Sequence, residues 1–307
     1  MPAAPRRRRP PGVLIALALS IVALVVGSLT GWLLSRSTDG PSDAKGPSGA
    51  ASGSAAPAPK EPTAPTADAG SPSSSAPPGG EARDRLAGRT VVIDPGHNPG
   101  NFQHPEEIGR LVDAGTHRKE CDTTGTSTNA GYTEAEFTRD VSQRLRELLE
   151  RQGARVSFTH DGDRPFGPCV DERARRGNEA KADAVISVHA DGSDRGNRGF
   201  HMILPGPVAT GSADTTKILG PSRELGERIA DAFARTTGSS RSNYVGNGSG
   251  LHVRTDLGGL NLSTVPKVFI ECGNMRDAHD AALLTSPRWR QLAAQGIAAG
   301  IQDYLMK

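Results

Sequence analysis

Four residues of this 307-residue chain have the types and neighbours needed to activate water: His97, Glu134, His189 and Glu271. His97 closes "VVIDPGH", His189 closes "AVISVH" and Glu271 closes "KVFIE", so three apolar, β-branched runs each finish on a group that can bind a metal or move a proton. In open α/β sheets, sites form at the carboxyl ends of strands. Taken alone, each is weak evidence, since a lone strand-end histidine is more often a capped or hydrogen-bonded structural residue. Three at one edge exceed what chance placement provides. Glu134 lies in "TEAE", where Thr133 is the expected helix N-cap and Glu136 its reciprocal partner in a capping box. Glu136 therefore has a structural task and Glu134 has none. Glu134 shares a helical stripe with Phe137, Val141 and Leu145, which aims its carboxylate along the core-facing side, where it wants a cation. The alternative is that it only favours the helix dipole. Two imidazoles and one carboxylate, with a fourth position open to water, make the composition of a catalytic Zn2+ site, and Glu271 would be its general base.

The elements that must position these groups are legible in outline. Strands are expected at Thr90–Asp94, Arg155–Thr159, Ala184–His189, Phe200–Leu204 and Lys267–Glu271. Helical spacing relates Phe137, Val141, Leu145 and Leu148, then Leu225, Ile229 and Phe233 before Gly238. Ser286-Pro287 opens a last helix whose Trp289, Leu292, Ile297, Ile301 and Tyr304 form one stripe. Strands alternating with helices predict an α/β domain built on a mostly parallel central sheet flanked by helices. Asp94-Pro95-Gly96 reads as the turn that holds His97 over the sheet edge. Asp94 reads equally as the orienter of a ligand or as a turn-stabilising Asx residue. Gly246, Gly248 and Gly250 in "VGNGSGLH" form no phosphate-binding fingerprint and read as a mobile loop beside the groove. His201 and His252 are expected to be structural or groove-lining, and His279 to lie on a helix surface.

The rest of the chain bounds where this domain works. A net charge of +2 leaves no nucleic-acid footprint. Residues 1–12 carry Arg6-Arg7-Arg8-Arg9, and the uncharged stretch of about 22 residues from Val13 to Leu34 is long enough to cross a ~30 Å hydrocarbon core. The basic flank assigns residues 1–12 to the cytoplasm and places the catalytic domain, behind a transmembrane helix, outside the cell membrane. A cleaved signal peptide is the competing reading. Residues 35–82, rich in Pro, Ala, Ser and Gly, have too few large apolar groups to order themselves and read as a tether, leaving 83–307 as one domain. Cys121 and Cys169 stand in polar, loop-like sequence and are expected to form a disulfide, with Cys272 a buried thiol inside "KVFIECG". The alternative is three unpaired cysteines.

"VVIDPGHNPG", "YTEAEF", "ERARRGNEAKADAVISVHAD" and "VPKVFIECGNMRDAHDAALL" resemble, in this order, the motifs of the zinc-dependent N-acetylmuramoyl-L-alanine amidases of the Amidase_3 type, over essentially all of the chain from Arg89 onward. The resemblance implies His97, Glu134 and His189 as Zn2+ ligands and Glu271 as catalytic acid/base. It implies a sheet flanked by helices, and hydrolysis of the amide joining the lactyl group of muramic acid to L-alanine in peptidoglycan. Two departures stand out. A long insertion over residues 98–131 carries His104, His117 and Cys121, and Thr159-His160 replaces the Thr-Arg pair common in the family. Neither removes a ligand, and no cell-wall-binding repeat or activator protein can be read from the chain. Arg173 and Asn178 also match family positions, where packing or capping explains them as well as chemistry does. Two other classes of function remain open: a zinc peptidase cutting the stem peptide, and an inactive wall-binding protein, which the complete set of two histidines and two glutamates argues against.

Overall fold

The computed structural model describes residues 84–307. The expected membrane span at 13–34 and the linker at 35–82 lie outside the described residues. Among the described residues, no helix is long and apolar enough to cross a membrane.

Six strands form the central sheet: β1 (Thr90–Pro95), β2 (Arg155–Phe158), β3 (Ala184–Asp191), β4 (His201–Pro205), β5 (Leu251–Arg254) and β6 (Lys267–Asn274), in the spatial order β2-β1-β3-β6-β4-β5. All neighbours run parallel except β6 and β4, which pair antiparallel, so β4 and β5 run opposite to the other four strands. Five of the six strands are those expected from sequence, with ends shifted by one or a few residues. β5 is the addition. Its Leu251, His252 and Arg254 are half-buried and Val253 is exposed; the strand follows the glycine-rich turn and pairs on one side only, as an edge strand does.

Five helices of seven or more residues accompany the sheet among the described residues: α1 (Glu134–Arg151), α2 (Val170–Glu179), α3 (Leu219–Thr237), α4 (Ala278–Leu284) and α5 (Pro287–Leu305). Helix α1 starts as its capping box requires: Thr133 accepts from the Glu136 amide, and the Glu136 carboxylate accepts from the Thr133 amide. Its buried stripe is Phe137, Val141, Leu145 and Leu149; Leu148, the residue before Leu149, is only half-buried. Helices α1, α3 and α5 pack on one face of the sheet, where Val91, Ile93, Ile186, Val188, Met202 and Ile270 meet Phe137, Leu145, Ile229, Phe233 and Ile297 in a continuous apolar core.

Side chains alternate along a strand, and neighbours in register share a face. The residues left for the opposite face are therefore Asp94 on β1, Ser187 and His189 on β3, Lys267, Phe269 and Glu271 on β6, and His201 and Ile203 on β4. That face is polar where it is not covered, and a smaller apolar cluster of Val92, Ala182 and Val185 seals its base. The insertion folds beside it as a helical turn at Pro105–Gly109 and a hairpin pairing Leu111–Asp113 with Arg118–Glu120. Cys121 and Cys169 are disulfide-bonded, joining the insertion to the N-cap of α2, and Cys272 is a buried free thiol. In the chain-entropy account, a bridge spanning 48 positions contributes about 4 kcal/mol.

Candidate metal centre

His97 leaves the end of β1 with φ at +61°, a left-handed backbone conformation that non-glycine residues adopt at a cost of order 1–3 kcal/mol. The bend turns its imidazole back over the sheet toward His189, and the two rings stand edge to face with centroids 5.0 Å apart. Gly96 has to be glycine for this approach, since a Cβ there would lie 2.4 Å from the His189 ring. Glu134 reaches the same point from the first turn of α1. Its Oε2 lies 3.2 Å from His97 Nε2 and its Oε1 lies 2.9 Å from His189 Nδ1. The backbone amides of Thr126 and Ala190 donate to the same carboxylate at 2.9 and 3.2 Å, fixing its plane. Gly125 allows the loop to pass, because a Cβ on it would sit 2.8 Å from Glu134 Oε2. Phe269 stacks on His189 with ring centroids 5.3 Å apart.

One ligand atom from each of His97, Glu134 and His189 lies within 4.8 Å of the other two. The three fit a zinc ion. His97 Nδ1 donates to the Thr123 carbonyl at 3.0 Å, which places the ring proton there and leaves a lone pair on Nε2. That lone pair faces a carboxylate oxygen, and two acceptors stay face to face only with a proton or a cation between them. Burial opposes charge on His97, yet the carboxylates of Glu134 and Asp122 outweigh it and push its pKa well above the ordinary histidine value. Burial likewise opposes charge on Glu134, but the two imidazoles hold it below the usual carboxylate range. The trio thus stabilises positive charge at its centre, and two nitrogens with one oxygen are a donor set suited to Zn2+ with a position left open.

Glu271 stands directly across from His189 in the β3–β6 register, on the same sheet face. Its Oε2 is buried and has no hydrogen-bond partner among the described residues. Burial first, then the negative charges of Glu134 and Asp191, push its pKa well above the ordinary glutamate value. A carboxyl that readily takes a proton therefore faces the same cleft as the metal-binding trio. That cleft holds about 420 Å³ and is walled by Val170, Ile203, Leu257 and Phe269, with Lys119 and Arg254 among its polar lining.

Beneath the trio lies a buried charge network that the sequence only partly discloses. Asp94 accepts from Arg173 Nη1 at 2.9 Å, Lys267 Nζ at 3.0 Å, Thr159 Oγ1 at 2.6 Å and Ser187 Oγ at 2.9 Å. Burial alone would raise its pKa, and Lys267 and Arg173 reverse this, so it stays ionised far below the usual range. Asp94 is thus neither a simple turn residue nor a direct partner of a ligand: it anchors the base of the turn that carries His97. Arg173 bridges Asp94 to Asp122, whose carboxylate lies 2.8 Å from its Nη2. Lys267, Ser187 and Asp122 gave no sequence signal of this role. Lys267 looks like the polar start of a strand but is almost fully buried. Asn178 does cap and tie loops, donating to the Leu262 carbonyl and accepting from the Thr264 amide. His160, in place of the family arginine, is buried against the Pro95 carbonyl at 2.9 Å, and burial pulls its pKa down to about 4.

The remaining histidines stay outside the trio. His201 sits opposite Glu271 on β4, buried, with its pKa lowered to about 4 by that burial. His252 lies on β5, partly exposed, and His279 is exposed on α4. His104 pairs with Glu107 at 3.2 Å within the insertion.

The family model for Amidase_3, N-acetylmuramoyl-L-alanine amidase, matches residues 91–303. The chain belongs to this family. Among its relatives, the N-acetylmuramoyl-L-alanine amidase Rv3717 of Mycobacterium tuberculosis is 38% identical over 221 residues, covering 72% of this chain and 88% of that protein. The crystal structure of the N-acetylmuramyl-L-alanine amidase Ami1 from Mycobacterium smegmatis superposes with a TM-score of 0.65 at 39% identity, covering 72% of this chain and 98% of that one. Ami1 from Mycobacterium abscessus, solved in its apo form, gives the same TM-score and identity and is covered completely. As an Amidase_3 enzyme, the protein carries the family's His/Glu/His zinc-type site in His97, Glu134 and His189.

Proposed function

We propose that this protein is a peptidoglycan hydrolase that cleaves the amide between the lactyl group of N-acetylmuramic acid and L-alanine, with His97, Glu134 and His189 holding Zn2+ and Glu271 as the catalytic acid/base. The observation that carries the reading is the meeting of that trio with an unpartnered, proton-accepting Glu271 in one cleft of an Amidase_3 domain. When bound, zinc supplies Lewis-acid polarisation of the amide carbonyl and brings the pKa of water there toward ~7. Glu271 takes the proton of the attacking water and returns it to the departing nitrogen, which must be protonated to leave. Its raised pKa serves the second half of that task, because the carboxyl retains the proton until the amine accepts it. Phe269 holds the His189 ring flat against the apolar wall, and Thr123 holds His97 in the tautomer that presents Nε2.

The bond cleaved is read from products. Mass spectrometry of peptidoglycan treated with the purified protein is expected to show intact stem peptides with a free L-alanine amine and unaltered glycan, and neither product after treatment with a chelator. Cleavage between residues of the stem would make the protein a peptidase instead, and products insensitive to chelation would remove zinc from the mechanism.

The same reading places the domain outside the cytoplasmic membrane, tethered by 35–82 to a span at 13–34. Support comes from the basic flank and the length of the apolar stretch. Cell fractionation is expected to find the protein in the membrane fraction with its N-terminal region intact. A soluble form whose N-terminus lies beyond Leu34 would show a cleaved signal instead.

A further inference from the structure

The insertion over 98–131 does more than border the cleft, because a turn within it, at Asp122-Thr123, supplies the groups that face Nδ1 of His97. His97 Nδ1 lies 3.0 Å from the Thr123 carbonyl and 3.6 Å from Asp122 Oδ1. Those two residues are held from several sides. Asp122 Oδ1 accepts from the Thr123 amide at 2.8 Å, Asp122 Oδ2 accepts from Arg173 at 2.8 Å, and Asn101 donates to the Thr123 carbonyl at 2.7 Å. The preceding residue is Cys121, bonded to Cys169 at the N-cap of α2, the helix that carries Arg173. The Val170 amide also donates to the Cys121 carbonyl at 2.8 Å. A disulfide, a main-chain hydrogen bond and a buried ion pair therefore clamp two consecutive residues of this turn to the first turn of α2.

We propose that Asp122 is a positioning residue for His97, and that the Cys121–Cys169 disulfide sets the metal affinity of the site by holding Asp122 and Thr123 against the imidazole. The proposal rests on the assignment of His97 as a zinc ligand. An anion and a carbonyl beside Nδ1–H keep the proton on that nitrogen, orient the ring and make Nε2 a stronger donor to a cation. Without the bridge, the turn keeps its hydrogen bonds but loses the covalent link that fixes their distance from α2. The consequence is a site whose zinc affinity depends on a bond made by the residue next to the one that orients a ligand.

The test measures zinc affinity in the full-length protein by competition with a chromogenic chelator. The variants are Asp122→Asn, the pair Cys121→Ser with Cys169→Ser, and all three changes together, each with its metal-free circular dichroism and melting midpoint. Loss of an outer partner of a histidine ligand weakens binding by about 10–100-fold. Asp122→Asn is expected to fall in that range while staying folded without metal, and the serine pair is expected to weaken binding in the same direction. The triple variant is expected to be little weaker than the worse of its parents, since the two changes act through one contact. A role in stability alone predicts lower melting midpoints with unchanged zinc affinity in the folded protein. That outcome, or binding by Asp122→Asn within twofold of the unaltered protein, overturns the proposal. An unchanged affinity in the serine pair overturns the part assigned to the disulfide. Failure of the unaltered protein to bind zinc at one per chain overturns the zinc assignment of His97 as well, so the two readings fail by different results.

Discussion

Glu271→Gln is expected to retain its zinc and lose about 10²–10⁴-fold in turnover, the range attributed to a positioned general acid/base. The amide matches the carboxylate in size, so the β3–β6 register opposite His189 and the packing around it should persist. What the amide lacks is an oxygen basic enough to take a proton. The raised pKa of Glu271 in its buried setting gives the change a second signature. A carboxyl with an elevated pKa contributes an acidic limb to the pH profile of kcat/KM, shifted upward from the ordinary glutamate position, and that limb should vanish in the glutamine variant. Metal analysis alongside steady-state kinetics on a defined muropeptide decides the matter. Loss of zinc from Glu271→Gln, or near-normal turnover, would remove Glu271 from its role.

Alanine at His97, Glu134 or His189 is expected to remove metal and activity together, in contrast to Glu271→Gln. Each supplies one of only three protein donors, so two remain, too few for a stable tetrahedral site. The fall in affinity should exceed the roughly 10²-fold upper range for losing an outer-shell partner. The three are not equivalent in stability. Glu134→Ala also strands the amide of Ala190, a buried donor whose lost partner costs about 1–3 kcal/mol, and removes the acceptor of the part-buried Thr126 amide. His189→Ala leaves Phe269 without its stacked neighbour but strands no backbone group. Zinc content near one per chain with full turnover in any of the three would take that residue out of the ligand set.

The local pattern of the chain determines much of this protein. Three apolar runs that end on His97, His189 and Glu271 define strands and place their last residues at one edge. The capping box at Thr133 and Glu136 leaves Glu134 free for other work, and the structure uses it as the link between the two imidazoles. Periodicity also identifies α1, α3 and α5, because an amphipathic stripe is a property of consecutive residues. The polar surroundings of Cys121 and Cys169 mark the pair that is bridged.

Tertiary structure decides what depends on register and on long-range approach. No spacing rule places Glu271 beside His189 in the sheet, or aligns Asp94, Ser187 and Lys267 on one face, because register is set by the pairing of strands far apart in sequence. Lys267 shows the limit most plainly: at the head of an apolar strand it reads as a solvated end, yet it is buried, and the Asp94 carboxylate from another strand balances its charge. The edge strand β5 was hidden because four residues after a glycine-rich turn carry little periodicity of their own and are ordered by β4. Asp122 is hidden for the same reason. Its partner Arg173 and its neighbour His97 come from separate elements, and only the folded chain, held there by the Cys121–Cys169 bridge, brings their charges to within a few ångströms, where they bear on a single imidazole.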